Sequence, residues 1–170
     1  PNPEPRTLFL VGFMACGKST VGRALAAASG RHFVDLDEVI EARVGCTIGE
    51  FIAREGEPRF REVETECLRQ AADGEGAVIA LGGGAFTREA NREIVAARGV
   101  AVWLDAPFEL CWRRIKSDAT VRPLAPTEEA ARRRYEERRA LYGLAKMRVE
   151  ISEEQRPEEI ARAILEGAAA

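Results

Sequence analysis

The residues Gly12-Phe13-Met14-Ala15-Cys16-Gly17-Lys18-Ser19-Thr20 satisfy G-x-x-x-x-G-K-[ST] at every position. Residue types in this order suit one task, the holding of a polyphosphate. Glycines let the backbone wrap close to phosphate oxygens, and the N–H groups of the loop and of a following helix point at them. The facing set is Gly12, Met14, Ala15, Cys16, Gly17, Lys18, Ser19 and Thr20. Within it Lys18 is placed to reach β- and γ-phosphates, and the Ser19 hydroxyl to hold Mg²⁺. Lysine is scarce: Lys18, Lys116 and Lys146 are the only three among 25 Lys+Arg. In a chain that otherwise uses arginine, a lysine in this loop indicates a compact point charge rather than a planar fork. A plain glycine turn into a helix explains neither the lysine nor the full pattern. Nucleotide binding follows from the motif; the reaction does not.

Three further stretches carry chemistry. Asp35-Leu36-Asp37 holds two of the five aspartates, at the end of an expected strand. Residues i and i+2 of an extended segment face the same way, so both carboxylates are expected to look into one cleft. The plainer alternative is that Asp37 caps the helix after it, and capping is compatible with catalysis. Arg61 and Glu64 are three apart on an expected helix, hence on one face; such a pair is by itself a weak surface ion pair. Gly82-Gly83-Gly84 follows an apolar strand. Three glycines in succession lose backbone entropy without packing gain, unless something approaches the backbone closely.

These residues need a scaffold to bring them together. Thr7 to Val11, Arg31 to Asp35, Ala77 to Leu81, Val100 to Leu104 and Met147 to Ile151 read as five short strands. Helical stretches lie between them: after the glycine loop; from Glu38; from the Thr47-Ile48-Gly49-Glu50 capping box to Gly56; and from Pro58 to Ala72. Others run from a Thr87 cap to Gly99, from Pro107 through Arg114, from a Thr127 cap to Tyr142, and from Pro157 to about Gly167. Strands alternating with helices predict an α/β fold, a five-stranded parallel sheet with helices on both faces in three layers. Active sites of such sheets lie outside the carboxyl ends of the strands, which is where the motifs fall. The stretch from Lys116 to Thr127, with prolines around Arg122, reads as a lid that closes over phosphates and excludes water.

Composition narrows the class. At 170 residues the chain is expected to be a single domain over its whole length, residues 1–6 being a frayed end. Apolar residues at 46% and charged residues at 31% describe an ordinary globular protein. A net charge of −3 gives no reason to expect nucleic acid or an anionic membrane as partner. No apolar run approaches the ~20 residues of a membrane span. Cys16, Cys46, Cys67 and Cys111 lack metal or disulfide spacing, and the expectation is a reducing cytoplasmic setting and a monomer. The single histidine, His32, is expected to be exposed or capping. No N-K-x-D signature is present, which argues against a GTPase. The strand before Gly82 lacks the aspartate that commonly assists Mg²⁺, leaving Asp35 as the candidate.

Together these residues resemble shikimate kinase, a family of P-loop proteins related to nucleoside-monophosphate kinases. The resemblance rests on the glycine loop, Asp35-x-Asp37, Phe60-Arg61-x-x-Glu64, Gly82-Gly83-Gly84, Arg122-Pro123-Leu124 and Arg138-x-x-Leu141-Tyr142, and covers nearly the whole chain. It implies ATP- and Mg²⁺-dependent phosphorylation of the 3-hydroxyl of shikimate. By resemblance Asp35 serves the metal with Ser19, and Asp37 binds the substrate hydroxyls and acts as base. Arg61 and Arg138 hold the substrate carboxylate, and Gly82, Gly83 and Gly84 line its site. Lys18 and Arg122 meet the phosphates, Arg114 lies against adenine, and Glu64 orients the set. Ala15 stands where the family often has glycine. The segment from Arg122 to Arg138 is a few residues shorter than usual, and adjacent Arg139 competes with Arg138 for the substrate role. A gluconate-type kinase and a kinase-like binding module without turnover are the alternatives. The glycine triplet with Arg61 and Glu64 argues against the first. The joint presence of Lys18, Asp37, Arg61 and Arg122 argues against the second.

Overall fold

The computed structural model describes residues 6–74, 76–118 and 127–168. Arg122, most of the expected lid and the residues before Arg6 lie outside them. Five parallel strands form one sheet in the order β2-β3-β1-β4-β5. They are β1 (Thr7–Val11), β2 (Phe33–Asp35), β3 (Val78–Ala80), β4 (Gly99–Asp105) and β5 (Met147–Glu150). β1 is central and every residue in it is buried, as expected of a strand covered on both faces. Leu10 aligns with Ala80 on one side and Val102 on the other.

Around the sheet run α1 (Lys18–Ser29), α2 (Leu36–Val44), α3 (Ile48–Glu55), α4 (Glu57–Ala72), α5 (Glu89–Arg98), α6 (Phe108–Ser117), α7 (Glu128–Tyr142) and α8 (Pro157–Ala168). α1 packs against α8 and β3; α4 packs against α2, α3 and α5; α6 packs against α7. No helix among the described residues is long and apolar enough to cross a membrane. The core is aliphatic with a few rings, and Leu8, Phe9, Leu10, Leu25, Leu36 and Leu68 are all fully buried.

The expected starts and stops hold in most places. Thr47 makes both halves of its capping box with Glu50, and Thr127 accepts from the amide of Ala130. His32 is exposed. Three details differ. α1 begins at Lys18, inside the glycine motif, so the loop leads directly into the helix. The segment Leu36–Asp37 is helical, not extended; Asp35 takes the cap position and its side chain accepts from the amide of Asp37. Thr87 caps no helix: it sits in a short 3-10 turn over Ala85–Thr87, where its hydroxyl donates to the Gly84 carbonyl at 2.7 Å. α5 starts two residues later, with Arg88 at its cap position. With Arg88 in the cap position, Thr87 belongs to the preceding turn, and α5 has no side-chain cap.

The strand order sets the site. β2 and β3 lie on one side of β1, and β4 and β5 on the other, so segments leaving the carboxyl ends flank the glycine loop from both sides.

Candidate active site

The glycine loop leaves β1 at Gly12, whose φ is 145°; a β-carbon there would stand 2.7 Å from the carbonyl oxygen of Leu104. Neither the conformation nor the space admits a side chain. Gly17, at φ 107°, turns the chain into α1. Between them Ala15 adopts φ 59°, the left-handed region, as the sole non-glycine described residue with positive φ. Lys18 Nζ donates to the carbonyls of Gly12 at 3.0 Å and Phe13 at 2.9 Å, and lies 3.8 Å from Cys16 Sγ. The ammonium therefore stands over the loop it serves. Ser19 Oγ donates to Asp35 Oδ2, while Asp35 Oδ1 accepts the Asp37 amide at 3.1 Å. One carboxylate thus joins the start of α1 to the start of α2, and Asp37 is presented in the first helical turn.

A cleft of about 520 Å³ crosses the loop. Asp37, Gly82 and Gly83 line it on the β2–β3 side; Arg114, Ser152 and Gln155 line it on the β4–β5 side. Arg114 Nη1 donates to the Ala15 carbonyl at 3.1 Å, which holds α6 against the loop. The segment after β5 was not singled out in the sequence, because Ser152 to Gln155 form no motif. Its position beyond a strand's carboxyl end was the available signal.

The glycine triplet is where side chains converge. A β-carbon on Gly82 would stand 2.8 Å from Asp37 Oδ1 and 3.2 Å from Glu64 Oε1. One on Gly83 would stand 3.3 Å from the Met14 amide nitrogen and 3.5 Å from Arg138 Nη1. One on Gly84 would stand 2.6 Å from Arg61 Nη2. The structure thus brings Asp37, Arg61, Glu64 and Arg138 to one short stretch of backbone and sets that stretch against the phosphate loop.

Arg61 Nη1 donates to Glu64 Oε2 at 2.9 Å and its Nη2 to Glu57 Oε1 at 3.0 Å. Glu64 is 1% exposed, so this is not the solvated surface pair the spacing alone suggested. Burial pushes the Glu64 carboxyl up; the Arg61 charge and hydrogen bond oppose that, and the Asp37 charge adds to it. Burial also pulls on the Arg61 guanidinium, but Glu64 and Glu57 outweigh it and its pKa is raised. Arg88, unnamed in the sequence reading, adds its charge beside Glu64.

Arg138, which the spacing to Leu141-Tyr142 favours, and adjacent Arg139 point to different partners. Arg138 stands by Gly83; burial lowers its pKa, a Tyr142 contact resists, and the charges of Arg134 and Arg61 lower it further. Arg139 Nη2 donates to Asp105 Oδ2 at 3.0 Å, and its guanidinium lies 5.5 Å from the Trp103 ring centre. Arg148 shares the same Asp105 oxygen from β5, at 2.6 Å. Tyr142 is buried in contact with Trp103 and donates its hydroxyl hydrogen to the Gly83 carbonyl. Asp105, Trp103 and Tyr142 thereby fix the end of α7 that carries Arg138. Asp105 was counted in the sequence without a role, and its place at the end of β4 was the only hint.

The arrangement can hold a polyphosphate beside a small anion. Main-chain amides and Lys18 could serve the first, and Arg61 and Arg138, which stand by Gly84 and Gly83, the second, with Asp37 beside Gly82. Among the described residues no three His, Cys, Asp or Glu side chains gather as a metal cluster. What the loop offers is two hard oxygens, from Ser19 and Asp35. That set fits Mg²⁺, which takes few protein ligands and completes its shell with phosphate oxygens and water.

Comparison with known proteins agrees. The family model described as shikimate kinase matches residues 14–169. A shikimate kinase of Synechococcus sp. (strain JA-3-3Ab) is 41% identical over 161 residues, covering 93% of this chain and 85% of that one. The solved structure of Acinetobacter baumannii shikimate kinase in complex with shikimate superposes with a TM-score of 0.91 at 36% identity, covering 97% of this chain and 93% of that one. A gluconokinase from Sinorhizobium meliloti superposes at 0.65 with 19% identity, covering 99% of this chain and 94% of that one, a likeness of fold alone.

Proposed function

The chain belongs to the shikimate kinase family, and from that premise we propose how its residues divide the work. The enzyme transfers the γ-phosphate of ATP to the 3-hydroxyl of shikimate, giving shikimate 3-phosphate and ADP. The loop amides from Met14 to Thr20, with Lys18, grip the β- and γ-phosphates. Ser19 and Asp35 hold Mg²⁺, which when bound neutralises phosphate charge. Arg114 flanks the nucleotide base, with Ser152 and Gln155 lining the same side of the cleft.

Arg61 and Arg138 grip the shikimate carboxylate. Planar guanidinium groups suit it because each can donate two parallel hydrogen bonds. Glu64 and Glu57 hold Arg61 in place, and Tyr142 and Asp105 hold the helix bearing Arg138. Asp37 orients the 3-hydroxyl. As the new O–P bond forms and the bond to the bridging oxygen breaks, ADP leaves with the electron pair. The hydroxyl proton passes to Asp37 and then to solvent. Positioning and charge stabilisation supply most of the rate. All these groups come from one chain, and we read the catalytic unit as a cytoplasmic monomer.

One observation carries the reading. Gly83 has both the phosphate loop and Arg138 beside it: its would-be β-carbon stands 3.3 Å from the Met14 amide nitrogen and 3.5 Å from Arg138 Nη1. An acid held by Arg138 is therefore next to a nucleotide held by the loop. Coupled ADP-release assays with shikimate, gluconate and other hydroxy acids test it. Turnover should require shikimate and Mg²⁺ together; equal rates with gluconate, or none with shikimate, would overturn the assignment.

A further inference from the structure

Helix α7 carries five arginines: Arg132, Arg133, Arg134, Arg138 and Arg139. Three have carboxylate partners: Arg132 pairs with Glu109 and Glu128, Arg133 with Glu129, and Arg139 with Asp105. Arg134 and Arg138 have none among the described residues. They are four apart, so they sit one above the other on a single face. The helix gives neither an easy partner: the positions three and four before Arg134 are Ala131 and Ala130, and those before Arg138 are Tyr135 and Arg134. Glu137 lies three residues after Arg134 and does not pair with it.

Arg134 Nη1 is buried and has no hydrogen-bond partner. A buried N–H of a cation without an acceptor is unfavourable. A second acid-free guanidinium one turn away adds like-charge repulsion. Both costs are relieved if an anion sits against this face. The Arg134 charge is felt at Arg138, where it works together with that of Arg61. The charges of Arg61 and Arg134 thus both act at Arg138, the guanidinium that stands beside Gly83.

We propose that Arg134 is a specificity-determining residue, forming with Arg138 a two-guanidinium receptor that selects a substrate carrying a carboxylate over its uncharged counterpart. This rests on the reading of Arg138 given above, and it adds a residue that reading does not use. Arg138 fixes the acid in place beside Gly83. Arg134, one turn nearer the start of α7, supplies the second positive charge and the unmet N–H.

The test compares shikimate with its methyl ester, which has the same ring and hydroxyls and no charge. The kcat/KM is measured for each at subsaturating concentration, where weak binding of the ester still yields a rate. Arg134→Gln should lower the acid-to-ester ratio about tenfold, the scale of one hydrogen bond to a charged group. Arg134→Lys, which keeps the charge, should retain most of the ratio. A merely structural role would lower both rates alike and leave the ratio unchanged, and that result overturns the proposal. Arg138→Gln is the control. If it collapses the ratio while Arg134→Gln does not, only the role of Arg134 fails. If neither variant moves the ratio, the carboxylate reading of Arg138 fails with it.

Discussion

Gly84 lies directly against the guanidinium of Arg61: a β-carbon on Gly84 would stand 2.6 Å from Nη2 and 2.8 Å from Nη1. The backbone of Gly84 itself is ordinary, at φ −100° and ψ −13°, so alanine fits the conformation and only the space is refused. What must move is the far end of a side chain. Gly84→Ala should therefore fold normally and displace Arg61. Steady-state kinetics should show the KM for shikimate raised about tenfold or more, in line with a lost charged hydrogen bond, with the KM for ATP nearly unchanged. An unchanged shikimate KM would mean Arg61 does not hold the substrate.

Asp35 and Asp37 are two residues apart and are expected to fail in different ways. Asp37→Asn keeps the shape and removes the proton acceptor. Its kcat should fall by roughly 10²–10⁴, the range for a lost general base, while ATP affinity by fluorescence titration stays the same. Asp35→Asn should weaken the tie to Ser19 and raise the Mg²⁺ concentration needed for half-maximal rate. If both variants showed the same Mg²⁺ dependence as the parent, Asp35 would have no part in holding the metal.

The contrast between these aspartates shows how far the sequence could be read. Both were singled out, and both line the cleft. The reason anticipated for their common orientation, an extended pair, does not apply, because α2 starts immediately after Asp35. Period-two reasoning cannot locate a strand-to-helix change within three residues. The phosphate loop, the five strands and the glycine triplet were legible because each has a local physical signature. The partnership of Asp105 with Arg139 and Arg148 was not, since it joins three elements far apart in sequence. Burial of Glu64 was hidden for the same reason: spacing shows which face a residue shares, and only packing shows what covers it.

Ala15 makes a stability prediction. At φ 59° a β-carbon crowds the following carbonyl, which costs about 1–2 kcal/mol for a non-glycine residue. Glycine removes that strain but makes the unfolded chain more flexible, which costs roughly 0.4–1 kcal/mol. Ala15→Gly should therefore stabilise the protein by about 0.5–1 kcal/mol net. Urea unfolding with unchanged slope would report it. A loss of stability would mean that the alanine methyl makes packing contacts worth more than its strain.

Glu64 couples stability and substrate binding to pH. Burial holds its carboxyl above the usual carboxylate range, with Arg61 opposing and Asp37 assisting. A group whose folded pKa exceeds its unfolded one contributes most to stability below the unfolded value, and that contribution is lost as pH rises through the folded value. Glu64→Gln cannot titrate, so relative to the parent it should gain stability as pH rises from the ordinary carboxylate range upward. Denaturant midpoints across that range would show the trend, and a constant difference would refute it. Activity should move the other way. Below the raised pKa the neutral carboxyl holds Arg61 less firmly, so the parent's kcat/KM for shikimate should fall on the acid side earlier than an ordinary carboxylate would dictate. In Glu64→Gln that limb should vanish and kcat/KM should stay low throughout. An acid limb of unchanged position in the variant would assign it to another group, with Asp37 the first to test.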